Sequence, residues 1–497
     1  MKIYAVDSKK LSLEELALIE SLQGLVNRHT KETGVGLYID AENYMVYLKK
    51  YKVIYLTFDE AIIEFKEYIK GIVLFDITPG NISINTACNM ATIYDAVMVD
   101  YKLFKVISKY NFKELFDTKE LNGDFIDQQK YIFDNYKHLF NNNALVHQVT
   151  KKDCHHIRLR DYAIKNKWMC LYTGEDKKSF EFREEVLKWL ESNSPIYGWT
   201  SDEISFVDHI SQYGNYVCPA DWSLNHSLLD EIDADIPKQP SMKADEIDNI
   251  NKYHYVTIVC SDGDNIQWLE RDFATSSSFG ERIKTEQNFP MSFTISPTLA
   301  DVSPIVLEYI YKQGKNNYFV SGVSGVGYMN PCNYPKNHLK NFCDKTAKFM
   351  SICDLNIVTL LDNLKNLYHV TEVLDEYAKH DNIYGGIYEL DPTMYGGGNG
   401  KIYWSSNGKP FASVRETMWA PDGTNKTVTE EWLTGIADRI NNYKVDPTSE
   451  DGYTVLNYHP WSMKIENLER LVKKLDSHVK IISTNKFIEL VKNNVKH

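Results

Sequence analysis

One segment of the sequence, YVTIVCSDGDNIQW (residues 255–268), joins a strand to a pair of carboxylates. Its apolar run VTIV is typical of a buried strand, and Gly263 permits a sharp turn directly after that strand. The turn presents Asp262 and Asp264 at the position where strands of α/β folds carry their active-site residues. The segment therefore predicts an enzyme-like α/β fold with a site at the carboxyl end of this strand.

The rest of the region 254–497 continues as strands separated by amphipathic helices. Eight strand candidates occur in it, namely YVTIVC, MSFTIS, NYFVSG, LNIVTL, IYGGIY, FASVR, YTVLNY and HVKIIS. Eight strands alternating with helices are what a (β/α)8 barrel requires. We therefore predict a C-terminal TIM-type barrel whose functional residues lie where its strands end.

Shorter α/β patterns precede the predicted barrel. Residues 1–150 and residues 151–229 each alternate strand-like and helix-like segments, which predicts two smaller layered α/β domains with mainly parallel strands. Residues 230–253 are acidic, contain proline and lack apolar periodicity, so they are predicted to be a linker. The predicted fold class is α/β, with residues 254–497 as the domain that carries the chemistry.

Composition limits the classes of partner. The chain has 497 residues, 43% of them hydrophobic, and a formal net charge of -13, which is typical of a folded, soluble protein. No Lys and Arg stripe of the kind that binds phosphates is visible, so a nucleic-acid partner is not expected. No apolar stretch approaches the roughly 20 residues that span a bilayer, and the start MKIYAVDSKK lacks an apolar signal core. We therefore expect no membrane partner. The expected location is cytoplasmic, or extracytoplasmic if a signal peptide was removed. The sequence does not indicate an oligomeric state.

The eight cysteines form no CxxC pair and show no spacing typical of a zinc site. Several lie in apolar strand-like runs, such as Cys170 in WMCLYTG and Cys260 in VTIVCSD, where a reduced and buried thiol is expected. No glycine-rich nucleotide fingerprint follows any predicted strand of the first 150 residues. The sequence therefore predicts neither a bound metal nor a cofactor.

Carboxylates follow several of the predicted barrel strands. Glu389, after IYGGIY, lies in an apolar and aromatic neighbourhood, which favours the neutral carboxyl form that a general acid needs. Asp264 precedes Gln267 by three residues, so its alternative role is to cap the next helix, whereas Asp262 lies too early for that role. The candidate catalytic residues are Asp262, Asp264 and Glu389.

Aromatic side chains accompany these carboxylates. Aromatic rings pack against the C–H faces of sugar rings, while sugar hydroxyls hydrogen-bond to polar side chains. His459, in NYHPW, is a candidate acid, base or hydrogen-bond donor. The combination predicts a carbohydrate site, with the following candidate substrate-binding residues: Trp268, Tyr328, Asp391, Arg415, Glu416, Trp419, His459 and Trp461.

The segment GVGYMNP, residues 325–331, is similar to the signature of the GxGYxYP putative glycoside hydrolase family. SDGDNIQW, TISPTLADVSP and the early SLQGLVNR also resemble stretches typical of that family, so the resemblance covers nearly the whole chain. It implies N-terminal α/β domains followed by a barrel-like C-terminal domain, and it favours glycoside hydrolysis as the activity. Asn330 stands where the signature has its second tyrosine, whereas Tyr328 and Pro331 match it.

Three functions stay open at this level. In the first, a glycoside hydrolase cleaves an oligo- or polysaccharide with Glu389 and one of Asp262 and Asp264, and Glu416 is the reserve carboxylate. In the second, a metal-dependent carbohydrate deacetylase holds a metal-activated water with Asp262, Asp264 and His459, although no HxxxH or HExxH pair supports it. In the third, the barrel binds carbohydrate without turnover.

Overall fold

The chain divides into two compact units in the computed structural model. Unit 1 comprises Met1–Ala234 with Asp301–Ile305, and unit 2 comprises Asp235–Ala300 with Val306–His497. The structure describes residues 1–78, 83–149, 158–239, 247–284, 289–314, 317–363 and 369–497. Residues 240–246 of the predicted linker lie outside these ranges. The domain boundaries predicted at residues 150 and 229 stay predictions.

Three small sheets make up the strand content of the described part of unit 1. The strands are β1 (Lys2–Asp7), β2 (Val35–Asp40), β3 (Val53–Leu56), β4 (Ile72–Phe75), β5 (Val97–Asp100), β6 (Glu114–Asp117), β7 (Asn141–His147), β8 (Trp168–Leu171), β9 (Pro195–Gly198) and β10 (Tyr216–Cys218). They are ordered β2-β1-β3, β5-β4-β6 and β10-β9-β7-β8, with every pairing parallel. The predicted parallel α/β architecture before the barrel is confirmed.

Helices connect and cover these sheets. The first begins at a capping box in which Ser12 and Glu15 bond each other's backbone N–H groups, as the S-x-x-E pattern favours. The helices are α1 (Leu13–Asn27), α2 (Thr30–Thr33), α3 (Phe58–Glu64), α4 (Ser83–Tyr94), α5 (Phe104–Ile107), α6 (Phe125–Tyr136), α7 (Arg160–Asn166), α8 (Lys177–Trp189), α9 (Glu203–Gln212) and α10 (His226–Leu229).

The family-like motif SLQGLVNR forms the second half of α1, with Arg28 as the C-cap, and the helix is buried along residues 16–27 on all sides. Its polar side chains find partners inside the unit; for example, Gln23 Nε2 donates to Asn225 Oδ1 at 2.6 Å. A Cβ at Gly24 would lie 2.6 Å from the carbonyl oxygen of Asp161, so α1 and α7 approach each other closely here. This motif therefore builds the core of unit 1.

Unit 2 contains a closed parallel barrel. Its strands are β11 (His254–Cys260), β12 (Ser292–Ile295), β13 (Tyr318–Ser321), β14 (Ile357–Asp362), β15 (Gly385–Leu390), β16 (Ile402–Trp404), β17 (Pro410–Met418), β18 (Tyr453–Tyr458) and β19 (Val479–Ile481). The order β12-β13-β14-β15-β17-β18-β11 closes because β12 also pairs with β11. The ring in the described residues therefore has seven strands, and β16 joins it only as an antiparallel partner of β17.

The prediction of an eight-stranded TIM-type barrel is not confirmed. All eight predicted strands exist, but the eighth, HVKIIS, forms only the three-residue β19. It pairs with β11 at His254, Tyr255 and Val256, whereas β12 takes the same edge of β11 further along, at Val259 and Cys260. The last strand thus lies beside the ring instead of completing it.

Helix α19 lies across the amino-terminal end of the barrel. The remaining helices are α11 (Ile266–Arg271), α12 (Phe279–Arg282), α13 (Leu299–Val302), α14 (Pro304–Gln313), α15 (Lys336–Ile352), α16 (Val370–Ala378), α17 (Glu430–Asn441), α18 (Ile465–Val472) and α19 (Thr484–Asn494). Thr484 Oγ1 hydrogen-bonds Thr257 of β11 and Ser292 of β12, and a Cβ at Gly385 of β15 would lie 3.0 Å from Ile488. In the ring, β15 lies on the opposite side from β11 and β12, so a helix that contacts all three strands lies across the barrel interior. Thr257 and Gly385 therefore face inward, towards α19.

The cysteines in the described ranges are free thiols. Seven of the eight cysteines lie in those ranges as free thiols, all buried except the half-buried Cys332; Cys154 lies outside them. Across the same ranges, no helix combines the length and the apolar character needed to cross a membrane.

Candidate functional site

The turn after β11 is held by the neighbouring strand β12. Asp262 adopts a left-handed backbone conformation, with φ 68°. The N–H of Gly263 donates to Thr294 Oγ1 at 2.8 Å, and its carbonyl accepts the N–H of Ser296 at 2.7 Å. A Cβ at Gly263 would lie 1.7 Å from the carbonyl oxygen of Thr294, so no larger residue fits without movement of the backbone. The glycine between the two aspartates therefore fixes where both carboxylates stand.

We expect Gly263→Ala to destabilise the barrel by about 3 kcal/mol or more, because its methyl group would overlap a backbone carbonyl. Thermal and denaturant unfolding would measure the loss. Gly396→Ala is the matched control, since a Cβ there meets nothing within 4 Å, and it should unfold like the wild type. Equal stability of the two variants would contradict this account of the turn.

Asp262 stands at the mouth of the barrel and accepts two side-chain hydrogen bonds. Trp461 Nε1 donates to its Oδ1 at 2.7 Å, and Ser261 Oγ donates to its Oδ2. His459 Nε2 lies 3.9 Å from the same Oδ2. The carboxylate is therefore oriented from two sides, and its side chain is still 13% exposed.

The contacts of His459 indicate which ring nitrogen carries the proton. Ser462 Oγ accepts the backbone N–H of Ala420 at 3.1 Å and lies 2.9 Å from His459 Nδ1. Among the described residues, the ring nitrogen is the acceptor available to this buried hydroxyl, so Ser462 donates to Nδ1 and the neutral ring carries its proton on Nε2, facing Asp262. Burial lowers the pKa of His459, and Asp262 opposes that shift in part. His459 thus presents a neutral N–H donor to the mouth at pH 7.

Aromatic rings line the same side of the mouth. The imidazole of His459 stacks on Trp419 with 3.6 Å between ring centroids, and Tyr395 packs edge-on against Trp419 at 5.6 Å. Trp461 meets the buried Trp268 at 4.6 Å and is itself 49% exposed. The structure therefore brings four predicted substrate-binding residues, Trp268, Trp419, His459 and Trp461, to Asp262.

Glu389 is the deepest carboxyl group of the cluster. Gly385 faces α19 inside the barrel, and alternation along β15 directs Glu389, four residues later, to the same interior. Its side chain is 1% exposed, and its Oε1 has no hydrogen-bond partner among the described residues. Burial raises the pKa of Glu389 well above its usual range, and the charges of Asp262 and Asp264 raise it further. These three predicted catalytic residues are therefore electrostatically coupled, and the neutral form of Glu389 is favoured.

Asp264 lies one residue before the helix that follows it. The N-cap position of α11 is occupied by Asn265, whose side chain makes no capping hydrogen bond, and the capping role considered for Asp264 stays a prediction. Asp264 is 9% exposed, and its backbone lies against the end of β13, where a Cβ at Gly322 would come within 3.0 Å of its nitrogen. Its position follows from packing between neighbouring strand ends.

Arg415 and Glu416 lie away from this cluster, contrary to their predicted role at the substrate. Glu416 accepts hydrogen bonds from Arg439 of α17 (Nη2 to Oε2, 2.8 Å) and from the hydroxyl of Tyr443 (2.6 Å). Arg415 donates to the carbonyl oxygens of Glu450 and Asp451 at 3.0 and 3.2 Å. A register shift between Val414 and Glu416 interrupts the alternation of β17, and this irregularity turns Glu416 towards α17.

Asp391 has local structural partners, and Tyr328 is buried. The Oδ1 atom of Asp391 accepts the N–H and the hydroxyl of Thr393 at 3.2 and 2.7 Å, which stabilises its own turn. Tyr328 is 3% exposed, and the signature segment 325–331 is buried throughout. A Cβ at Gly325, whose φ is 123°, would lie 2.4 Å from Thr346 Oγ1. The signature glycine thus allows a buried loop to pack on α15, and the structure does not place Tyr328 on the exposed rim.

The metal-dependent alternative requires a cluster of ligand side chains at this mouth. Within the described ranges, no group of three or more His, Cys, Asp and Glu side chains is arranged to hold a metal ion. Asp262, Asp264 and His459, the ligand set of the metal-dependent alternative, do not form such a group.

One inward-facing side chain of the mouth was absent from the sequence prediction. In the pairing of β18 with β11, Val455 is in register with Thr257 and Asn457 with Val259. Thr257 faces the barrel interior, where it hydrogen-bonds Thr484 of α19. Side chains two residues apart on a strand share a face, so Asn457 also faces the interior, nearer the mouth. The signal was present in the sequence as an amide inside the apolar strand YTVLNY, two residues before His459.

The fold and the site define an α/β-barrel protein with coupled carboxyl groups at the carboxyl-terminal mouth of its barrel. Three models of one family match the chain: the GxGYxYP first domain at residues 2–66, the GxGYxYP third domain at residues 143–230, and the "GxGYxYP putative glycoside hydrolase C-terminal domain" at residues 252–492. The chain belongs to the GxGYxYP family, which confirms the resemblance seen in the sequence.

A solved structure has the same fold over almost the whole chain. It is the crystal structure of a protein from Bacteroides thetaiotaomicron VPI-5482, described as a putative hydrolase, with 25% sequence identity and a TM-score of 0.85. The similarity covers 99% of this chain and 95% of that one. The comparison with curated proteins finds no match.

Proposed function

We propose that this protein hydrolyses glycosidic bonds in an oligo- or polysaccharide, using Glu389 and Asp262 as its pair of carboxyl groups. The observation that carries the proposal is the buried Glu389, whose pKa is raised by burial and by Asp262 and Asp264. A carboxyl group that keeps its proton, paired with a second carboxyl group, is the arrangement that glycoside hydrolysis requires. The family description and the hydrolase-like neighbour support the same class of reaction.

The two carboxyl groups have different environments and therefore different roles. Glu389, held neutral, acts as the acid that protonates the oxygen of the leaving sugar. Asp262, oriented by Trp461 and Ser261, acts as the nucleophile at the anomeric carbon or as the base that activates water. Asp264 keeps the proton on Glu389 through its charge and is the alternative partner.

Trp461 provides the surface on which a sugar ring first rests. Its indole N–H donates a hydrogen bond to Asp262, and about half of the Trp461 side chain is exposed at the mouth. An exposed indole beside a carboxylate matches a pyranose, whose C–H groups pack on the ring while its hydroxyls bond to the acid. This arrangement favours a carbohydrate substrate over a charged one.

The segment 391–400 covers the end of β15, and the proposal requires it to move. It folds back so that Leu390 and Gly396 form a bridge, and the carbonyl of Met394 accepts a hydrogen bond from Thr417 Oγ1 at 2.9 Å. Tyr395 of the same segment packs on Trp419. Glu389 is 1% exposed and Asp262 is more accessible, so the proposal has the sugar reach Asp262 first and contact Glu389 once the segment opens.

A panel of oligosaccharides and aryl glycosides, assayed by product chromatography, tests the proposal. We expect at least one glycoside to be cleaved by the wild type, and proton NMR of the first anomer formed will assign retention or inversion. Binding without any product would favour the non-catalytic alternative. Release of acetate that is lost on chelation, with no glycosidic cleavage, would favour the metal-dependent deacetylase.

A further inference from the structure

Two polar side chains inside the barrel leave hydrogen-bonding atoms unpaired. Among the residues that the structure describes, neither the Nδ2 nor the Oδ1 atom of Asn457 has a partner, and Oε1 of Glu389 also lacks one. Both side chains are 1% exposed. Asn457 thus leaves its whole amide group unsatisfied in the upper part of the barrel.

An unpaired buried amide is unfavourable for stability. A buried polar group without hydrogen bonds loses its interactions with water and gains none in return, whereas a leucine of nearly the same size would carry no such penalty. Buried polar groups are normally hydrogen-bonded, so an exception calls for a reason outside the packing of the free protein. A ligand that completes the missing hydrogen bonds supplies such a reason.

The position of Asn457 links it to the proposed reaction. Strand β18 lies between β17 and β11, and Asn457 is in register with Thr417 on one side and Val259 on the other. His459, which directly follows β18, lies two residues after Asn457 and faces Asp262. Thr417 donates a hydrogen bond to the carbonyl of Met394 in the covering segment. Opening of that segment would therefore admit a ligand beside the strand end that carries Asn457.

We propose that Asn457 binds a hydroxyl group of the sugar that occupies the barrel mouth, completing its amide hydrogen bonds when the substrate enters. The amide offers one acceptor and two donor hydrogens, and a hydroxyl both donates and accepts, so the two groups are complementary. This inference rests on the proposed function, because it names the ring hydroxyl contact of the same site. A residue that bonds a substrate hydroxyl discriminates strongly against the deoxy analogue, since the buried amide is then left unpaired.

Asn457→Leu separates a substrate-binding role from a structural one. We expect its thermal midpoint to rise by about 2 to 8 °C, because the unpaired amide disappears, and its kcat/KM on a cleaved glycoside to fall by about 100-fold. Asn27→Leu in unit 1 is the matched control. The amide of Asn27 is fully engaged by Leu37 and Ser227, so this variant should lose thermal stability and keep its kcat/KM.

The outcomes of this experiment distinguish the inference from the proposed function. A lower melting temperature of Asn457→Leu with unchanged kcat/KM would overturn the inference and leave glycoside hydrolysis standing. If the wild type binds a panel oligosaccharide without cleaving it, the proposed hydrolysis fails. In that case a tenfold weaker affinity of Asn457→Leu, measured by calorimetry, still supports the contact, and equal affinity overturns it. No cleavage and no binding of any panel sugar would overturn both.

Discussion

Asp262→Asn is expected to lower kcat/KM by about 10³-fold or more, with the fold intact. The amide has the size of the carboxylate and can still accept the hydrogen bond from Trp461, so the local geometry is retained. It lacks the negative charge that attacks the anomeric carbon or removes a proton from water. Steady-state kinetics on a cleaved glycoside, with circular dichroism and thermal unfolding alongside, would measure both parts of this prediction.

Glu416→Gln is the matched control, because it makes the same chemical change at another buried carboxylate of the barrel. Glu416 pairs with Arg439 and Tyr443, away from the mouth. We expect a loss of stability of about 1–2 kcal/mol, since Arg439 is half-exposed and solvent weakens the pair, and a kcat/KM close to that of the wild type. A reversed result, with Glu416→Gln inactive and Asp262→Asn active, would show that the carboxylates were assigned wrongly.

Most of the barrel could be predicted from the sequence because each of its strands is a short apolar run bounded by turns. The ring size could not, since it depends on which strand pairs with the edge of β11. HVKIIS has the composition of a strand, yet β12 occupies the carboxyl half of that edge and leaves β19 only the amino half. Competition for one edge is a property of the three-dimensional sheet, and local residue patterns do not contain it.

The candidate site shows the same limit at the level of single side chains. Residues directly after β11 and β18 meet at the mouth, as Asp262 and His459 do, because parallel strands end at one rim. Within β17 the prediction fails for Glu416, since a register shift after Val414 reverses which face a side chain occupies. One irregular residue thus converts a predicted substrate ligand into a partner of Arg439.

Glu389→Gln is expected to lower kcat/KM by about 10²- to 10⁴-fold on substrates with sugar leaving groups, because glutamine cannot donate the proton that the leaving oxygen needs. On an aryl glycoside with a dinitrophenolate leaving group, which departs without protonation, the variant should approach wild-type activity. In the wild type, the rate on sugar leaving groups should fall as pH rises through the raised pKa of Glu389. Equal losses on both kinds of substrate would show that Glu389 is not the acid.

The same substitution should change stability in a direction that depends on pH. Because the pKa of Glu389 is raised in the folded protein, the native state holds a proton that the unfolded chain gives up near pH 4.5. The stabilisation from this neutral form is complete below that pH and is lost as pH rises towards the folded pKa. Glutamine stays neutral throughout, so Glu389→Gln should match the wild type at pH 4 and exceed it in melting temperature at pH 8. A gap that is constant between these two pH values would mean that Glu389 titrates normally, and the carboxyl that donates the proton would then have to be sought elsewhere.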